Sequence, residues 1–64
     1  MAGEPGVGVR FALNEPVVIL AGPLAGTLGV VVSLVGLDPE PVYTVELGVG
    51  TRDVHVLESA LDSA

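Results

Sequence analysis

Short hydrophobic runs separated by turn-forming residues predict an all-β fold for this chain. The runs cover residues 16–20, 29–35, 42–47 and 53–57, and valine supplies most of them. β-Branched side chains pack well on a pleated sheet, whereas the glycines and prolines between the runs favour tight turns. Several short strands separated by turn signals are typical of a small barrel or sandwich.

The segments outside these runs complete the predicted architecture. Residues 1–10 are Gly-rich and lack periodicity, which predicts a flexible N-terminal arm ahead of a single domain over residues 11–64. Residues 48–50 are predicted to close a hairpin between the third and fourth strands. Residues 58–61 suit one short helical turn, and Leu61 is expected to fold back as a plug for the core.

The length of the chain limits the stability of a monomer. A domain of 64 residues buries only about 60% of the surface of its unfolded chain, so disulfides, metals or oligomerisation often supplement the core. The chain has no cysteine, which excludes disulfides and thiolate metal sites. Half of the residues are hydrophobic and the mean hydropathy is +0.75. Oligomerisation therefore remains as a way to add stability to the small core.

The charge balance argues against nucleic acid as a direct partner. Eight carboxylates are accompanied only by Arg10 and Arg52, there is no lysine, and the net charge is −6. Nucleic-acid binding depends on Lys and Arg side chains that neutralise phosphates. A basic protein surface or a cation is compatible with this charge.

Residues 16–37 form an uncharged stretch that must be weighed as a membrane span. Its 22 residues are enough to cross a hydrocarbon core of about 30 Å. However, Pro23 follows Gly22 inside the stretch, and Glu15 and Asp38 flank it without a cluster of Lys or Arg. A strand–turn–strand arrangement is therefore favoured, and a small membrane-associated protein that uses residues 16–37 stays an alternative.

Residues 14–31 resemble the KOW motif of SH3-like barrels. Their sequence, NEPVVILAGPLAGTLGVV, contains Gly-Pro-x-x-Gly-x-x-Gly between two valine-rich runs. The resemblance implies a single small SH3-like barrel of about five short strands with a short helical turn near the C-terminus. KOW domains contact RNA or protein, and the shortage of basic residues favours protein here.

Residues 54–57 resemble part of a second family, the plasmid-borne type II dihydrofolate reductases, which are short SH3-like chains that assemble as tetramers. The run Val-His-Val-Leu is similar to that family's Val-Gln-Ile-Tyr active-site strand, with His55 at the glutamine and Leu57 at the tyrosine. The resemblance implies a site formed by His55 and Leu57 at the centre of a symmetric oligomer. The lysines with which that family attracts anionic folate are missing, and an acidic pore would repel it. We therefore expect shared architecture without shared chemistry.

The KOW register also predicts which apolar residues face outward. It places Val17, Ile19, Val31 and Leu34 inside the barrel. The outward set on the first two strands is then Val18, Leu20, Val30, Val32 and Val35. Soluble monomers rarely expose a contiguous apolar patch of more than a few hundred Å². We therefore expect this set to form a self-association or partner surface.

No residue pattern indicates a catalytic group, a cofactor or a metal site. His55 is the only histidine, and alternation places it outward between Val54 and Val56. Without a second histidine or any cysteine, no transition-metal site is expected unless a symmetric oligomer brings several copies of His55 together. The carboxylates lack the spacing of a calcium loop and are expected to act as solvated surface charge.

Together these features favour a small, acidic, non-catalytic interaction module in the cytoplasm that self-associates and binds a protein partner. It is expected to use no cofactor and to have no direct contact with nucleic acid. An enzyme with its active site at the centre of a symmetric oligomer is the first alternative, and the membrane-associated protein is the second.

Overall fold

A computed structural model describes residues 9–48 and 53–64, and they form an all-β fold. The elements are β1 (Pro16–Ile19), β2 (Leu28–Gly36), β3 (Val42–Glu46), β4 (Val54–Leu57), a 3₁₀ helix (Glu58–Ala60) and β5 (Leu61–Ser63). The four predicted strands and the helical turn are confirmed, and each end agrees to within one residue. The predicted arm over residues 1–10 and the turn at 48–50 lie mostly outside the described residues.

The five strands form one antiparallel sheet in the order β4-β3-β2-β1-β5. The first four strands pair with their neighbours in the chain, and the 3₁₀ helix then leads to the far side of β1. There β5 pairs with β1, with Val17 opposite Ser63 and Ile19 opposite Leu61. As a result, β4 and β5 are the two terminal strands of the sheet.

Alternation along the strands directs one set of side chains into a small apolar core. Its buried members are Phe11, Val17, Ile19, Val31, Tyr43, Val45 and Leu61. The rings of Phe11 and Tyr43 meet edge to face with their centroids 5.6 Å apart, an arrangement that aromatic pairs prefer. Leu61 is 1% exposed, so the predicted plug is in place.

One inward assignment is wrong. Leu34 was expected inside, but it is 42% exposed. The pairing of β2 with β3 shifts between Val31 and Ser33 and again between Leu34 and Gly36. Each such bulge bends the strand and disturbs its regular alternation. Leu34 therefore lies where β2 turns away from the core.

Residues 16–37 adopt the predicted strand–turn–strand arrangement. The turn between β1 and β2 contains Gly22 and Gly26 at φ values of 83° and 88°, a region that glycine enters without steric cost. Among the described residues, no helix has both the length and the apolar character needed to cross a membrane.

Candidate functional site

The described part of the chain exposes more large apolar side chains than its core buries. Eight of them are between 37% and 63% exposed, whereas the core has seven buried members. The exposed set is Leu13, Leu20, Leu24, Leu28, Leu34, Val35, Leu37 and Leu57. Such side chains mark an interaction site where they form a contiguous patch, so their grouping on the sheet matters.

Four apolar residues lie together on the outer side of β1 and β2, and we call them the outer apolar face: Pro16, Val18, Leu28 and Val30. Pro16 is paired with Val30, and Val18 is paired with Leu28. Directly paired residues project to the same side of a sheet, so the four side chains are neighbours. A hollow of about 310 Å³ lies here, with Pro16, Leu28 and Val30 among its lining residues.

Carboxylates stand at both sides of the outer apolar face. Glu46 on β3 is the cross-strand partner of Val30, and Asp62 on β5 is the partner of Val18. Both carboxylate side chains are exposed, and Asp62 lies 3.5 Å from the guanidinium of Arg10. The face thus has an apolar centre, with Glu46 on one side and the Asp62–Arg10 ion pair on the other.

The structure brings together only part of the predicted association surface. Val18 and Val30 lie half-buried on adjacent strands of the outer apolar face. Leu20 follows the end of β1 and is 51% exposed, while Val32 lies at the first bulge and Val35 beyond it. Sequence reasoning missed Leu28, which is 63% exposed and lies just before the predicted second strand. Its spacing of two from Val30 was the available signal.

A second apolar feature runs along β4, and we call it the edge groove. It has a volume of about 280 Å³, and all four residues of β4 line one side of it. The opposite side includes Ala21, Pro23 and Leu24 from the turn after β1. The edge groove therefore contains both His55 and Leu57, the two residues singled out by the likeness to the reductases.

Several carboxylates form specific hydrogen bonds in addition to carrying surface charge. Glu40 accepts hydrogen bonds from the backbone N–H and the hydroxyl of Ser59, at 2.8 and 3.3 Å. Glu15 accepts one from the backbone N–H of Ala12 at 3.0 Å. Within residues 9–48 and 53–64, no group of three or more His, Cys, Asp or Glu side chains is arranged to hold a metal ion.

Another of these carboxylates, Glu58, forms with Tyr43 a hydrogen-bonded group that we call the clasp. The Tyr43 hydroxyl donates to Glu58 Oε2 at 2.7 Å and accepts the backbone N–H groups of Arg10 and Phe11 at 3.3 and 3.4 Å. Glu58 Oε2 also accepts the N–H of Arg10 at 2.8 Å. Burial, followed by the hydrogen bond to Glu58, raises the pKa of Tyr43. The clasp thus ties the segment before β1 to the 3₁₀ helix through a phenol that stays protonated at neutral pH.

Tyr43→Phe is expected to lower the free energy of unfolding by about 1–3 kcal/mol, because the buried N–H of Phe11 loses its acceptor. Urea unfolding of both proteins at pH 7 and at one chain concentration measures this loss. Ser59→Ala removes only an exposed hydrogen bond and is the matched control. A loss no greater than that of the control would contradict the role of the clasp.

Because of the same clasp, the stability of the folded protein is expected to depend on pH in the alkaline range. Because folding raises the pKa of Tyr43, its contribution is complete below the unfolded value of about 10 and is lost as the pH rises through the folded value. The chain has one tyrosine, no lysine and no cysteine, so no other side chain titrates near pH 10. Ultraviolet absorbance should show a higher tyrosine pKa for folded than for urea-unfolded protein, and equal values would contradict the clasp.

Comparison with known proteins does not identify a family for this chain, so a function has to be argued from the surfaces described above. No protein-family model matches the chain, and neither a curated protein nor a solved structure shows significant similarity to it. The features available are the outer apolar face, the edge groove and the acidic charge.

Proposed function

We propose that this chain is a small acidic interaction module of the SH3-like type, which self-associates and binds a protein partner. The observation that carries the proposal is the exposure of eight large apolar side chains by a chain whose described core has seven buried members. Covering apolar surface is favourable by about 25 cal/mol per Å² before the costs of association. The five antiparallel strands and the 3₁₀ helix before β5 support the SH3-like assignment made from the KOW-like segment.

The outer apolar face is the surface that binds the protein partner. Its apolar centre lies between Glu46 and Asp62, and the whole chain carries a net charge of −6. A complementary surface has an apolar centre surrounded by Lys and Arg, since matched potentials steer partners together. A second copy is a poor match here, because it would bring like charges together.

Site-specific photo-crosslinking in an extract of the producing cells tests this assignment. A photoreactive residue at Leu28 is expected to give an adduct with one protein, and mass spectrometry should locate it in an apolar patch bordered by Lys and Arg. The yield should fall as salt is raised, because salt screens exposed charges. The matched control is the same residue at Leu37, which is 59% exposed against 63% for Leu28. Equal adducts from both positions, or none from Leu28, would overturn the assignment.

Light scattering after size-exclusion chromatography tests the self-association. At micromolar concentration we expect a mass of at least twice the 6.4 kDa of the chain. The mass should fall on dilution, as mass action requires. A species of 6.4 kDa at every concentration would refute self-association and leave the partner surface as a separate question.

A further inference from the structure

The backbone of β4 presents hydrogen-bonding groups along the edge groove. In an antiparallel pair, every second residue exchanges hydrogen bonds with the neighbouring strand. Between β3 and β4, the Glu58 N–H donates to the Pro41 carbonyl at 2.9 Å. The pairs two and four residues further along, Val56–Tyr43 and Val54–Val45, are therefore also hydrogen-bonded pairs. The N–H and C=O groups of His55 and Leu57 therefore point away from β3. No other strand of residues 9–48 and 53–64 pairs with that side of β4.

The β4 edge is short, but it lacks charge, proline and a bulge, which are several of the features that protect exposed strands. Such edges commonly carry lysine, proline, an inward charge or a bulge. β4 reads Val-His-Val-Leu, without a charged residue or a proline, and its pairing with β3 is regular over all four residues. His55 and Leu57 are exposed beside it, and Leu57 retains 45% of its accessible surface.

A second copy of the same strand fits this edge. If two β4 strands run antiparallel across a twofold axis at Val56, His55 faces Leu57 of the second copy and Leu57 faces its His55. Each of these two pairs exchanges two backbone hydrogen bonds, about four in total. Glu58 and Ser59 already belong to the 3₁₀ helix, and within β4 this register places no carboxylate opposite another. The uncharged edge thus allows two chains of charge −6 to meet.

We propose that two copies pair through their β4 strands and join their sheets into one continuous antiparallel sheet. The inference rests on the proposed self-association and names the surface that carries it. Such an interface covers Leu57 and the neighbouring Leu24, which is 37% exposed. It leaves the outer apolar face, on β1 and β2, free for the protein partner.

Amide hydrogen exchange of the full chain, followed by NMR at dilute and concentrated conditions, tests the pairing directly. Association should slow the exchange of the His55 and Leu57 amides by at least about tenfold, because both become hydrogen-bonded. The Val54 and Val56 amides bond to β3 in either state and should change much less. The result measures individual backbone groups in the unmodified protein and needs no folded variant.

Two matched pairs of variants test the β4 edge, with dimerisation measured from the molar mass by light scattering. His55→Pro removes the outward N–H at an edge position where proline is tolerated, whereas His55→Ala keeps that N–H. Leu57→Lys places a charge at the edge, whereas Leu37→Lys places one at a similarly exposed position elsewhere. We expect His55→Pro and Leu57→Lys to weaken dimerisation at least about tenfold. Leu37→Lys should leave dimerisation within about threefold of the unmodified chain. His55→Ala keeps the N–H and loses only the side chain opposite Leu57, so it should weaken dimerisation less than His55→Pro does.

The outcomes separate this inference from the proposed function. A protein that stays monomeric at all concentrations refutes both the β4 pairing and the proposed self-association. A dimer in which the His55 and Leu57 amides exchange as fast as in the monomer refutes the β4 pairing alone. Slow exchange of these amides already in the monomer also refutes it, because another part of the same chain would then cover the edge.

Discussion

Gly29→Ala is expected to lower the free energy of unfolding by about 2–3 kcal/mol, because overpacking a filled core costs that much. A Cβ atom at this position would lie 2.5 Å from Val45 Cγ1 and 2.9 Å from the carbonyl oxygen of Glu46. Val45 is fully buried and the oxygen belongs to the backbone of β3, so neither can move away cheaply. A domain of this size has a total stability of roughly 3–10 kcal/mol.

Gly36→Ala is the matched control for this prediction. Both glycines lie on β2, but an added Cβ at Gly36 meets no atom within 4 Å. Its effect is expected to stay within about 0.5 kcal/mol, or to stabilise slightly by restricting the unfolded chain. Urea unfolding followed by circular dichroism, at one fixed chain concentration, measures both variants. Equal stabilities would mean that β2 and β3 do not approach as closely at Gly29 as described.

Gly29 illustrates which features local sequence patterns can predict and which they cannot. The spacing of the glycines after Pro23 predicted a turn followed by a strand, and both are present. The sequence did not show that position 29 has no room for a side chain. It arises from the pairing of Val30 with Glu46 and of Val31 with Val45, which joins segments about fifteen residues apart in the chain. Local patterns identify strands, whereas the distances between strands depend on these long-range pairs.

The candidate surfaces could be predicted only where alternation stays regular. Val18 and Val30 share the outer apolar face because β1 and β2 pair in register across the glycine turn. Val32 and Leu34 could not be placed from the sequence, because the bulges in β2 interrupt its period of two. No local signal marked these bulges. Sheet order is likewise a long-range property, so the sequence did not reveal that β4 is a terminal strand.

The C-terminal strand combines a correct local prediction with a missed long-range one. The helical turn and the burial of Leu61 were predicted from the run Glu-Ser-Ala-Leu. The pairing of β5 with β1 was missed, because Leu-Asp-Ser is too short to show a strand period. β5 is held by its register with β1 and by the packing of Leu61 against the core. The stability of this strand therefore depends heavily on one side chain.

Leu61→Ala is expected to lower the free energy of unfolding by about 3 kcal/mol, within the usual range of roughly 2–5 kcal/mol for a buried leucine. Leu61 is 1% exposed and lies opposite Ile19 of β1, so its truncation leaves a cavity and loosens β5 at the same time. The control is Leu37→Ala, where the side chain is 59% exposed and little change is expected. Urea unfolding at one chain concentration measures both variants, with hydrogen exchange at the Asp62 and Ala64 amides, which point toward β1, reporting on β5 itself. If Leu61→Ala costs no more than Leu37→Ala, the last strand does not close the core.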